Sequence, residues 1–258
     1  MNVPKTDIDD RGWSFTWGKQ ALNLGRNGSL NGWTADGRPL IYVSPLSDPK
    51  KRLRGGMPVC WPWFGAAPQA GLPPHGFLLD RALKLKEESA DNATMEAVIG
   101  DTIATCVGFA GQANVSVRYS LSAATELAVT VTISNPAASP IRYDVGLHPY
   151  LVLPRACTAL RIVNGSQTVD VPDAIDQRFT NAAGSIAVLE GDTPLWTLET
   201  SGLGGFGLWR IDAAKAATIP DLPDDDFSRF ISVNPIALGE TAAGGETKSY
   251  TLRLKPAF

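Results

Sequence analysis

The chain has 258 residues, 44% apolar and 19% charged, and carries a formal net charge of −3. That composition excludes an intrinsically disordered chain, and the charge balance lacks the basic footprint of a nucleic-acid or anionic-membrane binder. Three cysteines (Cys60, Cys106 and Cys157) are an odd number without CxxC spacing, which argues against a disulfide framework or zinc site and for a reducing compartment.

Residues 1–10 are polar, with Asp7, Asp9 and Asp10, and contain no apolar stretch of the kind a signal peptide needs. No later run is long enough to span a bilayer, so a cytoplasmic protein is expected. Trp13, Phe15 and Trp17 then alternate with Ser14 and Thr16, the period of a half-buried strand. Val115, Val117, Tyr119 and Leu121 repeat the pattern, as do Leu127, Val129, Val131 and Ile133, which predicts an antiparallel hairpin around residues 122–126. Residues 213–218 read as a helical turn or two, stopped by Pro220 and Pro223. The chain closes on another alternating run, Tyr250, Leu252 and Leu254. The 25 glycines and 19 prolines are spread throughout, as many short strands require many turns. No repeat or linker divides the sequence. The expectation is one all-β domain over residues 1–258, an antiparallel β-sandwich.

Four segments carry chemistry. In residues 54–65, Arg54 precedes two glycines, and Trp61, Trp63 and Phe64 are interleaved with Pro62. These aromatics fit either an apolar wall for the C–H faces of a sugar or a buried corner of the sandwich. Pro74-His75-Gly76-Phe77 and Gly146-Leu147-His148-Pro149-Tyr150 hold the chain's two histidines, both in Gly/Pro/aromatic turns at strand ends, where function concentrates. Ser232-Val233-Asn234-Pro235 follows the acidic loop Asp224-Asp225-Asp226. With two histidines and no cysteine cluster, no transition-metal site is expected.

Taken together, "RGGMPVCWPWFG", "HGF", "GLHPY" and "VNP…GGETKSYTLRL" resemble the hexose-6-phosphate mutarotases within the aldose 1-epimerase group, in order and spacing from Trp13 to Leu254. The resemblance implies a galactose-mutarotase-like β-sandwich with its site in a cleft on one sheet. It also implies interconversion of the α and β anomers of an aldose by one acid and one base, with no metal or redox cofactor. Carried onto this chain, the catalytic positions are His148, the general acid, and Asn234, where the family has its base. The substrate-binding positions are Arg54, which faces the phosphate in phosphosugar enzymes, His75 and Asp176. A histidine titrating near neutrality suits the acid role. The implied partner is a small-molecule sugar or sugar phosphate, with no nucleic acid and no membrane.

Three positions depart from the family pattern. The base, a glutamate before proline, is Asn234, and an amide accepts no proton at neutral pH. The arginine expected two positions after "HGF" is Leu79, and the glutamine before the first histidine is Pro74. Three readings follow: Glu240 or one of Asp224, Asp225 and Asp226 supplies the base, or an ordered water beside Asn234 supports a slow mutarotase, or the protein binds sugar without catalysis. Lys50, Lys51, Arg52 and Arg54 fit either a phosphosugar site or a solvated basic loop. If the strand after His75 continues, Arg81 shares the face of Leu79 and stands in for the missing arginine.

Overall fold

Period-two alternation decides the architecture. The computed structural model describes residues 5–9, 12–48, 51–154 and 156–258. Asp10 and Lys50 therefore lie outside the described residues. A nine-stranded antiparallel sheet runs, in order, Gln167–Asp170, Leu160–Asn164, Ser185–Glu190, Thr193–Ser201, Thr247–Pro256, Leu127–Ser134, Ala113–Ser122, Thr94–Ile103 and Lys84–Ala90. Its centre is the expected hairpin, with Leu121 opposite Leu127 and Val117 opposite Val131. Every second side chain there (Val115, Val117, Tyr119 and Leu121, then Leu127 to Ile133) is buried. Tyr250, Leu252 and Leu254 continue the same face. Removing each such side chain from water is worth about 1.5–3 kcal/mol.

The second large sheet has six strands. Ile175–Thr180, Gly205–Arg210, Phe230–Ala242, Ile141–Leu147 and Val59–Cys60 lie in that order, and Tyr150–Val152 pairs with Phe230–Ala242 off the main path. The two sheets face each other across one core. Tyr143 of the six-stranded sheet meets Tyr250 of the nine-stranded sheet, their hydroxyls 3.1 Å apart. A third, five-stranded sheet is built from residues 5–39, beyond the two sheets of a simple sandwich. It adds Trp13, Phe15 and Trp33 to the core, where Trp33 meets Trp196 edge-on at 6.3 Å.

Among the described residues, helix is confined to single turns. Ala213–Ala216 forms the expected one, capped by Asp212, whose carboxylate accepts from the Lys215 amide at 2.8 Å. Leu78–Asp80 is a 3₁₀ turn, so no strand continues from His75 to Arg81. No disulfide links the three cysteines. Among the described residues, no helix is long and apolar enough to cross a membrane.

One irregularity shapes the site. Between Tyr143, opposite Glu240, and Val145, opposite Ala237, the register shifts at a bulge containing Leu238 and Gly239. Asp144 holds it: one carboxylate oxygen accepts from the Gly239 amide at 2.8 Å and the other from the Phe64 amide at 3.1 Å. One side chain thereby ties the bulge to the aromatic turn and fixes where Phe64 points.

Candidate active site

Each histidine is held by different local chemistry. His75 sits at φ 65°, a left-handed conformation costly for a side chain with a Cβ. Its own amide donates to the Gly65 carbonyl at 2.8 Å, and the Gly65 amide donates back to His75 Nδ1 at 3.3 Å. Arg52 grips both sides of the residue, donating to the Pro74 carbonyl at 3.0 Å and the Gly76 carbonyl at 3.1 Å. The same guanidinium forms a forked pair with Asp80, at 2.8 and 2.6 Å. Gly76 has φ 80°, and a Cβ there would lie 2.1 Å from the Trp61 carbonyl oxygen. Arg52, one of the four cations that fit either a phosphosugar site or a solvated loop, is committed to the His75 loop.

His148 follows the end of Ile141–Leu147, and its amide donates to the Pro58 carbonyl at 3.0 Å. Its Nδ1 is 3.0 Å from Ser232 Oγ. The same hydroxyl is 2.8 Å from the Pro149 carbonyl oxygen and 2.7 Å from the Asn234 amide group. Ser232 and Asn234 are two apart on one strand and so share a face. Both are almost fully buried. Asn234 therefore reaches the histidine through a shared serine.

The two imidazoles lie 5.3 Å apart, nearly perpendicular. Phe64 closes one side, 5.2 Å from His75 and 6.2 Å from His148. Gly146 makes room for it, since a Cβ there would fall 2.2 Å from the Phe64 ring. Tyr150 stacks on His148 at 5.2 Å, and Trp209 meets His148 at 6.2 Å. Arg54, His75, His148 and Tyr150 line a cavity of about 610 Å³, a size that accommodates a small ligand. Arg54 donates to Asp221 at 3.1 Å and shares the cavity wall with Tyr150. Asp176 is exposed on the outer strand, paired in register with Trp209, and its charge acts on His75. Arg178, on the same face, donates to the Phe64 carbonyl at 3.3 Å and lies 5.4 Å over its ring.

The structure decides several readings that the sequence leaves open. Trp61 and Trp63 are core residues packed on Phe77, so only Phe64 of that aromatic run faces the histidines. The remaining aromatic surface comes from Tyr150 and Trp209. Glu240 lies beyond the bulge and accepts from Lys248 and the Tyr250 hydroxyl, each at 3.0 Å, well away from Asn234 along the strand. Asp226 is buried, accepting from the Tyr42 hydroxyl at 2.7 Å and from Arg229 at 3.1 Å, while Asp224 and Asp225 are exposed. Among the described residues, no carboxylate hydrogen-bonds either histidine. His148 does not titrate near neutrality: burial, then the neighbouring His75, pushes its pKa down to about 3. Burial also lowers His75, helped by the charges of Arg52 and Arg178 and opposed by Asp176.

The sequence singled out the segment of Ser232 without a role for its hydroxyl, and it gave no sign of Trp209, Asp221 or the positioning role of Arg52. Ser232 was legible in principle, since a serine two residues before Asn234 in a strand must share its face. Asp221 meets Arg54 across 167 residues with no local signal.

Comparison with known proteins fits this geometry. The family model "Aldose 1-epimerase" matches residues 33–178, more than half of the chain, a span containing Arg54, His75, His148 and Asp176 and ending before Asn234. A protein named "Putative glucose-6-phosphate 1-epimerase" from Escherichia coli is 27% identical over 227 residues, covering 80% of this chain and 72% of its own length. Among solved structures, a putative mutarotase from Salmonella typhimurium superposes with a TM-score of 0.76 at 16% identity, covering 98% of this chain and 96% of its own. A galactose 1-epimerase from Lactobacillus acidophilus gives 0.70 at 12% identity, covering 99% and 98%. These structural likenesses show the fold, an all-β galactose-mutarotase-like sandwich. The chain belongs to the aldose 1-epimerase family and is a sugar-binding, epimerase-like protein.

Proposed function

We propose that this protein opens and recloses the ring of an aldose, or of its 6-phosphate, in the cleft between His75 and His148, interconverting the anomers slowly. The observation that carries this reading is the contact of the chain's two histidines at a cavity shared with Arg54; that Asn234 stands at the family's base position is part of the proposal and comes from the resemblance alone. In this reading Asp176 accepts from sugar hydroxyls and Arg54 binds the phosphate or a hydroxyl. Support for a phosphorylated sugar comes from Arg26, Lys51 and Arg81, which line the same cavity as Arg54. Ring opening is proton transfer, and its chemistry requires neither metal nor redox cofactor. We read residues 1–258 as one functional unit that acts in the cytoplasm, in carbohydrate metabolism, on a small-molecule sugar and not on nucleic acid or membrane.

The test is relaxation of freshly dissolved α-glucose and α-glucose 6-phosphate, followed by NMR with the spontaneous rate subtracted. The wild type accelerates one of them, and His148→Asn removes roughly 10²- to 10⁴-fold of that acceleration. A second reading, sugar binding without turnover, is favoured by the absence of a carboxylate bonded to either histidine among the described residues. It predicts saturable quenching of tryptophan fluorescence by the sugar with no acceleration at all.

A further inference from the structure

The hydrogen bonds around the two histidines constrain where each carries its proton. The Gly65 amide can only donate, so His75 Nδ1 accepts, and a neutral His75 must hold its hydrogen on Nε2. Ser232 has one hydroxyl hydrogen and three neighbours, of which the Pro149 carbonyl can only accept. Giving it to His148 would leave the Pro149 carbonyl facing a bare oxygen lone pair at 2.8 Å, so the hydrogen goes to that carbonyl or to the Asn234 oxygen and is not available to His148. His148 Nδ1 must then donate to Ser232, which leaves its Nε2 with a bare lone pair. Neither Nε2 has a hydrogen-bond partner among the described residues. One ring thus offers a donor and the other an acceptor at one cavity.

We propose that this complementary pair of neutral imidazoles, rather than a histidine and a carboxylate, moves the proton at the anomeric centre, with His148 Nε2 as the shuttling base and His75 Nε2–H as the hydrogen-bond donor. The inference rests on the epimerase reading above. His148 Nε2 takes the proton from the anomeric hydroxyl. The O–H electrons become the second bond of the aldehyde, and the electron pair of the C1–ring oxygen bond leaves on that oxygen. Both oxygens are attached to one carbon, so the imidazolium returns the same proton to the ring oxygen. His75 keeps its own proton throughout and stabilises the charge that develops. Rotation about C1–C2 and the reverse sequence give the other anomer, with every atom and electron accounted for.

The surroundings keep both rings neutral. Arg52 and Arg178 face His75, with Asp176 opposing them, while burial and the charge of Arg54 act on His148. Tyr150 covers one face of His148 and Trp209 meets its edge. A neutral imidazole as electrophile is established chemistry elsewhere. A base with so low a pKa is also a weak one, in keeping with slow turnover.

With only two histidines in the chain, nitrogen NMR of the full-length protein labelled with ¹⁵N-histidine is unambiguous. The expected spectra between pH 6 and 9 show two neutral rings of opposite tautomer. The Nδ1–H signal disappears in His148→Asn and the Nε2–H signal in His75→Asn. The acceleration stays flat over the same pH range. Ser232→Ala, which removes the acceptor for Nδ1–H, lowers kcat at least tenfold with little change in KM, and circular dichroism melting checks that it folds. Two rings of the same tautomer, or a charged His148 at pH 7, overturn the inference, and accompanying turnover would leave the epimerase reading standing. Opposite tautomers with no acceleration of either sugar overturn the proton shuttle together with the epimerase reading. A bell-shaped pH profile with kcat unaffected in Ser232→Ala overturns the shuttle alone.

Discussion

The hairpin Ala113–Ser122/Leu127–Ser134 and the strand Phe230–Ala242 are both central strands of large antiparallel sheets, yet they use side chains in opposite ways. In the hairpin, burial alternates residue by residue, and the outward positions pair across strands, as in Thr130 with Thr251 and Thr132 with Ser249, each at 3.0 Å. In Phe230–Ala242, residues 230–237 are all buried on both faces. A polar residue there cannot turn to water, so Ser232 and Asn234 must find partners inside the protein. Those partners are each other, Pro149 and His148. Where a strand is covered on both sides, its polar residues mark the site; where one side is wet, they mark solvent.

The change that breaks this contrast most forcefully is Asn234→Glu. It places a carboxylate beside the serine that holds His148, and an opposite charge at that range favours the imidazolium. The His148 pKa then climbs well above 3 in an NMR titration. A carboxylate at position 234 that reaches the anomeric hydroxyl also recovers part of the roughly 10²- to 10⁴-fold contribution of a general base. We expect at least about a tenfold gain in anomer relaxation on the sugar that the wild type accepts. An unchanged or reduced rate, with the His148 shift present, would show that position 234 does not face the reacting hydroxyl.

A second difference between the regions is their response to acid. His148 is neutral in the fold, with a pKa of about 3 against an ordinary 6.5. Between those values the unfolded chain takes up a proton that the folded chain refuses. Stability therefore rises with pH across that window and is lost as pH falls from about 6.5 towards 3. His75, also lowered, acts in the same direction. The urea midpoint of His148→Asn, which has no imidazole to titrate, should fall less between pH 7 and pH 5 than that of the wild type. Equal losses would mean that His148 is protonated in the fold.

Packing provides the third contrast. Gly146→Ala drives a methyl group to within 2.2 Å of the Phe64 ring, in a turn already pinned by Asp144. Overpacking of this kind costs about 1–3 kcal/mol. Because Phe64 touches both histidines, the variant should also weaken sugar binding. A loss of stability with unchanged affinity would separate Phe64 from the cleft.

The same contrast explains what the sequence disclosed. The hairpin, the N-terminal run Trp13 to Trp17 and the closing strand were legible because one wet face imposes alternation. His75 and His148 were legible as candidates because they are the only histidines and lie in turn-rich segments. Trp61 and Trp63 stayed undecided between pocket wall and buried corner because an aromatic run interleaved with proline has the same composition either way, and the structure buries them in the core. Arg52 and Arg54 are two residues apart yet have different fates, one clamped to Asp80 and the His75 loop, the other paired with Asp221 in the cavity. Partners 28 and 167 residues away decide that, and no local pattern encodes them.

The smallest expected effect belongs to the hairpin and serves as the reference for the others. Thr130→Ala removes a hydroxyl from a cross-strand pair on the wet face of the nine-stranded sheet. The lost partner is replaced by water, since Thr130 is only partly buried. Cross-strand pairs of this type contribute roughly 0.2–1 kcal/mol, and the urea midpoint should fall by no more than that. Neither histidine tautomer nor the rate of anomer relaxation should move, because Thr130 lies on a different sheet from His148. Ser232→Ala also deletes one hydroxyl from a strand, but its buried neighbours have no water to turn to. The cost there is the desolvation of unpaired groups, about 1–3 kcal/mol. A Thr130→Ala loss as large as that of Ser232→Ala would show that burial is not what separates the two sheets, and the assignment of Ser232 to the site would lose its physical basis.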